Sequence, residues 1–206
     1  TAQKKFGSSA LLFDGTDDKL IVSASSDFDF GTADVTIDLW VHTSQTNPSR
    51  IVGRGSHPGE WFLRSDTTES EYVKANIGGS VVNLNSSPEK VSGLGWKHVA
   101  LVRTASKLEL FIDGVSVDSE AVSGSWDVTS TSNDLGIGSG IDAGTGEYFS
   151  GSIDELRISV GAARWTAGFT PPMTPFGGVV LAGSAKAAHG AAGLGYSFTG
   201  SISTAG

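Results

Sequence analysis

Val35-Thr36-Ile37-Asp38-Leu39-Trp40-Val41-His42 alternates apolar and polar positions over eight residues. Successive side chains of a strand point to opposite faces, so Val35, Ile37, Leu39 and Val41 share one face, and that face belongs to a core. The same period returns in Trp96-Lys97-His98-Val99-Ala100-Leu101-Val102-Arg103 and, after a polar turn at 104–107, in Leu108-Glu109-Leu110-Phe111-Ile112. Asp113-Gly114 then leads into Val115-Ser116-Val117. A two-residue Asp-Gly between alternating runs predicts a type I′ hairpin, because both positions need positive φ. These strands form a meander.

Shorter runs predict further strands at Ala10–Phe13, Lys19–Val22, Ile51–Gly53, Trp61–Arg64, Tyr72–Ile77, Ser80–Leu84, Asp134–Gly138 and Ile153–Ser159. Many short strands separated by Gly, Asn, Asp and Ser clusters predict an all-β, two-sheet antiparallel β-sandwich. The composition suits such a fold. Hydrophobic residues make up 38% and charged ones 17%, with 28 Gly, against usual values of roughly 45–50% and about 25%. A length of 206 residues fits one core.

From Gly161 the pattern loosens, and Pro171, Pro172 and Pro175 end any regular ladder. We place a sandwich domain at 1–176 and a Gly/Ala/Ser-rich tail or attachment segment at 177–206. Within that tail Val179-Val180-Leu181 and Tyr196-Ser197-Phe198 are each able to dock as a short strand.

The formal net charge of -8 argues against nucleic acid as a partner, since phosphate binding needs a basic stripe and the sequence has none. Without cysteine there are no disulfides, thiolate metal sites or Cys nucleophiles. No apolar run approaches the ~20 residues of a membrane helix, so no membrane insertion is expected. The chain begins at Thr1 rather than Met, as expected of a processed or longer polypeptide.

Five pieces carry a resemblance: Ser9-Ala10-Leu11-Leu12-Phe13-Asp14-Gly15, the Val35–Val41 strand, Trp96-Lys97-His98-Val99-Ala100, Leu110-Phe111-Ile112-Asp113-Gly114, and Gly151-Ser152-Ile153-Asp154-Glu155-Leu156-Arg157-Ile158. In this order they resemble the laminin-G-like jelly-roll domains of the concanavalin A-like lectin/glucanase superfamily. The stretch Ala162–Pro172 is similar to a tail of such domains in bacteriophage tail fibres, head fibres and other virion surface proteins. Read physically, Trp165 and Phe169 anchor a turn against the sandwich while the prolines lead the chain away.

Asp154 is in phase with Leu156 and Ile158, so a regular strand aims its carboxylate at the apolar side, where an unpaired charge is expensive. The resemblance implies a structural Ca²⁺ held by Asp154 with Asp14 or the Gly15 carbonyl. The alternatives are a bulge at Gly151-Ser152 that re-phases the strand, or backbone N–H groups donating to Asp154. Asp14-Gly15-Thr16-Asp17-Asp18 lacks the ligand spacing of an EF-hand and reads as a solvated acidic turn.

Trp40 lies opposite Val35, Ile37 and Leu39, and either lines a groove or packs beneath a covering loop. The segment Arg54–Trp61 joins an aromatic residue to polar groups at a loop, so Trp61, His57, Glu60 and Arg64 are the candidate glycan-binding set, with Trp126 a second exposed-aromatic candidate. The alternative for both is a plain hairpin loop. Enzyme chemistry is not expected. The Glu-x-Asp-x-x-Glu strand of related glucanases is missing, Glu69-Ser70-Glu71 reads as a solvated turn, and His42, His57, His98 and His189 show no metal spacing. His98 reads as a structural hydrogen-bonder.

The expected function is a non-enzymatic virion surface domain, fibre or capsid-decorating, that attaches to a cell-surface glycan. The alternatives are an assembly subunit without ligand and a bacterial extracellular adhesin module. The expected partners are a glycan or other virion proteins, with a homotrimer as the assembly to test, and the expected location is a virion surface or the extracellular space.

Overall fold

A computed structural model of the chain describes residues 3–55, 61–65, 71–86, 91, 93, 95–126, 133–140, 147–176, 183–188 and 197–200. The strands are β1 (Leu11–Asp14), β2 (Lys19–Val22), β3 (Val35–His42), β4 (Ser49–Arg54), β5 (Trp61–Ser65), β6 (Glu71–Ile77), β7 (Ser80–Asn85), β8 (Lys97–Arg103), β9 (Lys107–Ile112), β10 (Val115–Ala121), β11 (Leu135–Ile137), β12 (Ser150–Val160), β13 (Gly183–Ala188) and β14 (Ser197–Gly200). Every strand expected before the tail is present. Among the described residues helix is confined to a 3₁₀ turn at Ser26–Phe28, capped by the Ser25 side chain.

Two antiparallel sheets stack. One runs β1-β12-β3-β8-β9-β10 and the other β14-β13-β2-β11-β4-β5-β6-β7. Alternation decides which side chains meet between them. Ile37, Leu39, Val99, Leu101, Leu110 and Ile112 from the first sheet join Trp61, Leu63, Val73, Ala75, Ile77 and Leu84 from the second in one buried cluster. The Asp113-Gly114 turn forms as its sequence requires, with φ of 50° and 79°. A second such turn, Gly78-Gly79, joins β6 to β7 with φ of 60° and 78°.

Two arginines, Arg103 and Arg54, also lie inside. Arg103 ends β8 in phase with Val99 and Leu101, and its Nη1 donates to the carbonyls of Gly31 and Ala33 at 3.1 and 2.8 Å. Burial pulls its pKa below the usual arginine value, and the Asp34 charge partly offsets that. Arg54 donates to the Phe28 carbonyl at 2.7 Å and pairs with Asp29 at 2.6 Å. Such fixed donors satisfy loop carbonyls where the strands end.

Two segments of the Gly/Ala/Ser-rich stretch are strands: β13 pairs with β2, and β14 pairs with β13. Ser197-Phe198 falls within β14, whereas Val179-Val180-Leu181 and Tyr196 lie outside the described residues.

Candidate functional site

The two outer faces of the sandwich differ. On the six-stranded sheet, alternation sends Thr36, Asp38 and Trp40 of β3 outward beside His98 and Ala100 of β8, yet all five are buried. Two other segments of the chain cover them. Near the N-terminus, Phe6 meets the Trp40 ring edge-on at 5.9 Å and the Lys5 ammonium sits 3.8 Å from its centroid. Beyond β12, residues 162–176 form a strap. Thr36 Oγ1 donates to the Ala162 carbonyl at 2.8 Å and accepts from the Arg164 N–H at 2.9 Å. Trp165 and Phe169 stack at 3.9 Å and meet His98 edge-on at 5.6 and 5.7 Å. Beneath the strap, Arg157 holds the Asp38 carboxylate, and His98 Nε2 lies 3.4 Å from the same group. The expected structural role of His98 and the anchoring roles of Trp165 and Phe169 agree with this geometry.

The outer face of the other sheet is polar and more open. Gly53, Phe62, Lys74 and Asn83 lie in one row across β4–β7, and Arg50, Arg64 and Asn85 belong to the adjacent row. Phe62 is roofed: the guanidinium carbons of Arg50 and Arg64 stand 4.7 and 5.6 Å from its ring centroid, and both side chains pair with Glu147, at 3.3 and 3.1 Å. A Cβ on Gly53 would come within 2.7 Å of the Phe62 Cβ, so glycine there gives the ring its seat. Toward β7 the face carries half-buried Lys74 and Asn76 and exposed Asn83 and Asn85. Amides and an ammonium in adjoining rows, at strand spacing, match the hydroxyl pattern of a saccharide better than an apolar ligand.

The sequence-derived glycan set is split by this arrangement. Arg64 belongs to the polar face, but Trp61, three residues away, has the opposite parity. It is 1% exposed and packs against Phe30 and Trp126, with ring centroids at 5.8 and 6.3 Å. Trp126, 2% exposed, bridges to Gly31 and Ile77 and also belongs to the core. Trp40 takes the covered alternative, at 4% exposure. None of the three indoles offers a face to a sugar. His57 and Glu60 lie outside the described residues, as does Glu69; Glu71 opens β6 opposite Ser65.

The metal set is divided as well. Asp154 is on the outer side with Trp40, because the register breaks between Asp154 and Arg157, where Glu155 takes φ of 53°. Leu156 and Ile158 then return to the core side. The break falls after Asp154, not at Gly151-Ser152. Its carboxylate accepts the N–H groups of Lys5 (2.9 Å), Phe6 (3.1 Å) and Glu155 (2.9 Å). That is the backbone-satisfied alternative, and three positive N–H dipoles do not suit a cation. Asp14 pairs with Ser150, four residues from Asp154 along β12, roughly 13 Å away at strand rise. Asp14 instead groups with Asp17 and Asp18, with ligand oxygens within 4.8 Å of one another. Asp14 accepts the Thr16 N–H at 2.7 Å, and Asp18 accepts the Asp14 N–H at 3.0 Å. Gly15, at φ of 81°, makes the turn and abuts Ser150. This loop has the hard oxygen donors a calcium ion takes.

Two stacked antiparallel sheets, one with its outer face strapped by other segments of the same chain, define a jelly-roll sandwich of the lectin type. Residues 14–165 match the laminin-G model of the concanavalin A-like lectin/glucanases superfamily, and the chain belongs to that superfamily. Solved structures agree on the fold. Domains LG4-5 of the mouse laminin alpha1 chain align with 77% of this chain and 44% of theirs, at 18% identity and a TM-score of 0.58. Domain 4 of AbnA, a GH43 extracellular arabinanase from Geobacillus stearothermophilus solved in complex with arabinotriose, aligns over 72% and 69%, at 16% identity and 0.51. The heptameric SAP-like pentraxin of Limulus polyphemus aligns over 77% and 76%, at 14% identity and 0.50. The chain thus spans less than half of the laminin structure. No curated protein sequence matches the chain.

Proposed function

We propose that this chain is a non-catalytic glycan-binding module, displayed on a virion surface for attachment, that takes its sugar on the outer face of the eight-stranded sheet. The observation that carries the reading is the polar platform of Lys74, Asn76, Asn83 and Asn85 beside Arg64, on the face that the strap and the N-terminal segment do not cover. The superfamily supports it, as does the arabinotriose held by the similar arabinanase domain. The resemblance of residues 162–172 to virion-protein tails supports the location. Calcium belongs to the same proposal, at Asp14, Asp17 and Asp18, where it would supply charge neutralisation and brace the β1–β2 turn.

A glycan array probed with the purified chain, with calcium and with chelator, tests both parts. Lys74→Ala and Asn83→Ala are expected to lower binding of the same glycans about tenfold, equivalent to losing a charged or bidentate hydrogen bond. Binding unchanged in both variants overturns the site, and no binding in either buffer overturns the function. A second reading, an assembly or decoration subunit without ligand, is favoured by β13 and β14, which extend a sheet with residues from the tail. It predicts no glycan binding and an oligomer, trimeric by the fibre analogy, that dissociates when 177–206 are deleted.

A further inference from the structure

β7 is the last strand of its sheet, and its register against β6 decides which backbone groups are left over. Ile77 faces Ser80 across the Gly78-Gly79 turn. In a two-residue hairpin the flanking pair exchanges hydrogen bonds and alternate pairs do not. Ser80, Val82 and Leu84 therefore bond to β6, while Val81, Asn83 and Asn85 turn N–H and C=O away from it. Asn85 bears out the phase: its N–H donates to Asp118 Oδ2 of β10 at 2.8 Å. The Val81 main chain has no hydrogen-bond partner among the described residues, and its side chain is 56% exposed.

Edge strands are normally guarded by charge, proline or a bulge. β10, the neighbouring edge, has two of these, a register break between Ser116 and Asp118 and the carboxylates of Asp118 and Glu120. β7 has neither charge nor proline, and its six pairs with β6 run without a break. Between the two edges lies a groove of about 330 Å³ lined by Ser80–Asn83, Glu120 and Ala121. It is tied across at one end by Asn85 and Asp118, and at the other by the Gly78 N–H on the Ser125 carbonyl at 2.8 Å. Glu120 is exposed and makes no ion pair or hydrogen bond through its side chain among the described residues.

We propose that β7 is a strand-addition site for a short extended peptide of a partner protein, which bonds to the Val81 main chain and sets a lysine or arginine against Glu120. The charge selects the occupant. A second copy would bring another Glu120 and another body of net charge -8 to the same groove, whereas a basic peptide is drawn in. The inference does not rest on the glycan reading, because it uses the edge of the sheet rather than its face.

The test is amide NMR of the full chain titrated with acetyl-Thr-Val-Lys-Val-Thr-amide and with its Lys→Glu counterpart. The lysine peptide should shift the Val81 and Asn83 amides saturably, slow hydrogen exchange at Val81, and bind about fivefold more tightly than the glutamate peptide, the upper worth of one exposed ion pair. Glu120→Gln, which keeps shape and removes charge, should erase that preference. Val81→Pro removes a donor that β6 does not use and should abolish binding while leaving the other amide shifts of the free chain in place. Three outcomes overturn the proposal: Val81 unmoved by the lysine peptide, equal affinity for the two peptides, or Val81 already protected by self-association.

Discussion

Arg157 grips Asp38 with two parallel hydrogen bonds, Nε to Oδ1 at 2.9 Å and Nη2 to Oδ2 at 2.7 Å, on a sheet face where Asp38 is wholly buried. Removing one partner of a buried ion pair strands the other charge, whereas replacing both with apolar groups need not. Asp38→Ala should cost about 3–5 kcal/mol in urea unfolding. Asp38→Leu with Arg157→Met should lose clearly less, and equal losses would show that the pair's charge does not matter there.

Gly114 sets where the strap can lie. Its φ is 79°, and a Cβ there would collide with the Phe169 carbonyl oxygen, a main-chain atom that cannot swing aside. The Phe169 N–H donates to the Gly114 carbonyl at 2.9 Å. Gly114→Ala should therefore destabilise by about 1–3 kcal/mol, and hydrogen exchange should quicken at Phe169 before it quickens in β8. A variant with native Tm and native exchange would refute that account of the turn.

Much of this fold is legible from alternation alone, and the reasons for the failures are specific. Asp113-Gly114 announces its turn because only a few residues tolerate two consecutive positive φ values. Strand parity alone sets Trp61 opposite Arg64 and so in the core, and its position next to a polar loop is a weaker signal than that parity. What covers Trp40 is different, since Lys5 and Phe6 approach it from more than thirty residues away and no local pattern marks that contact. Asp154 shows a third kind of limit. One extra residue at Glu155 reverses every later side chain of the strand, and nothing in Asp154-Glu155-Leu156 marks it. The platform of Lys74, Asn76, Asn83 and Asn85 follows from the period of β6 and β7, where these residues alternate with the buried Val73, Ala75, Ile77 and Leu84.

Burial of Trp61 has a measurable consequence. Trp61→Ala should remove about 3–5 kcal/mol of stability, as expected for a fully buried tryptophan, while any glycan recognised by the folded chain keeps its place in the ranking. A selective loss of glycan binding at unchanged stability would return the indole to the binding site.

Trp165→Ala should act locally. Its ring stacks on Phe169 and meets His98, and the strap adds only half-buried surface to a sheet already built. Limited proteolysis should cut within 162–176 in the variant, with little change in the unfolding midpoint of the sandwich. Resistance equal to that of the parent would show that the other strap contacts suffice.

Lys5 and Phe6 are fastened to Asp154 and Trp40 on the strapped side of the sandwich, the side remote from Lys74 and Asn83. A body joined ahead of Lys5, whether a biotin tag, a bead or a neighbouring protein, therefore emerges at the back of the domain. Coupling at that end orients every copy with its amide platform outward, so a sparse surface can present a dense, uniformly facing array.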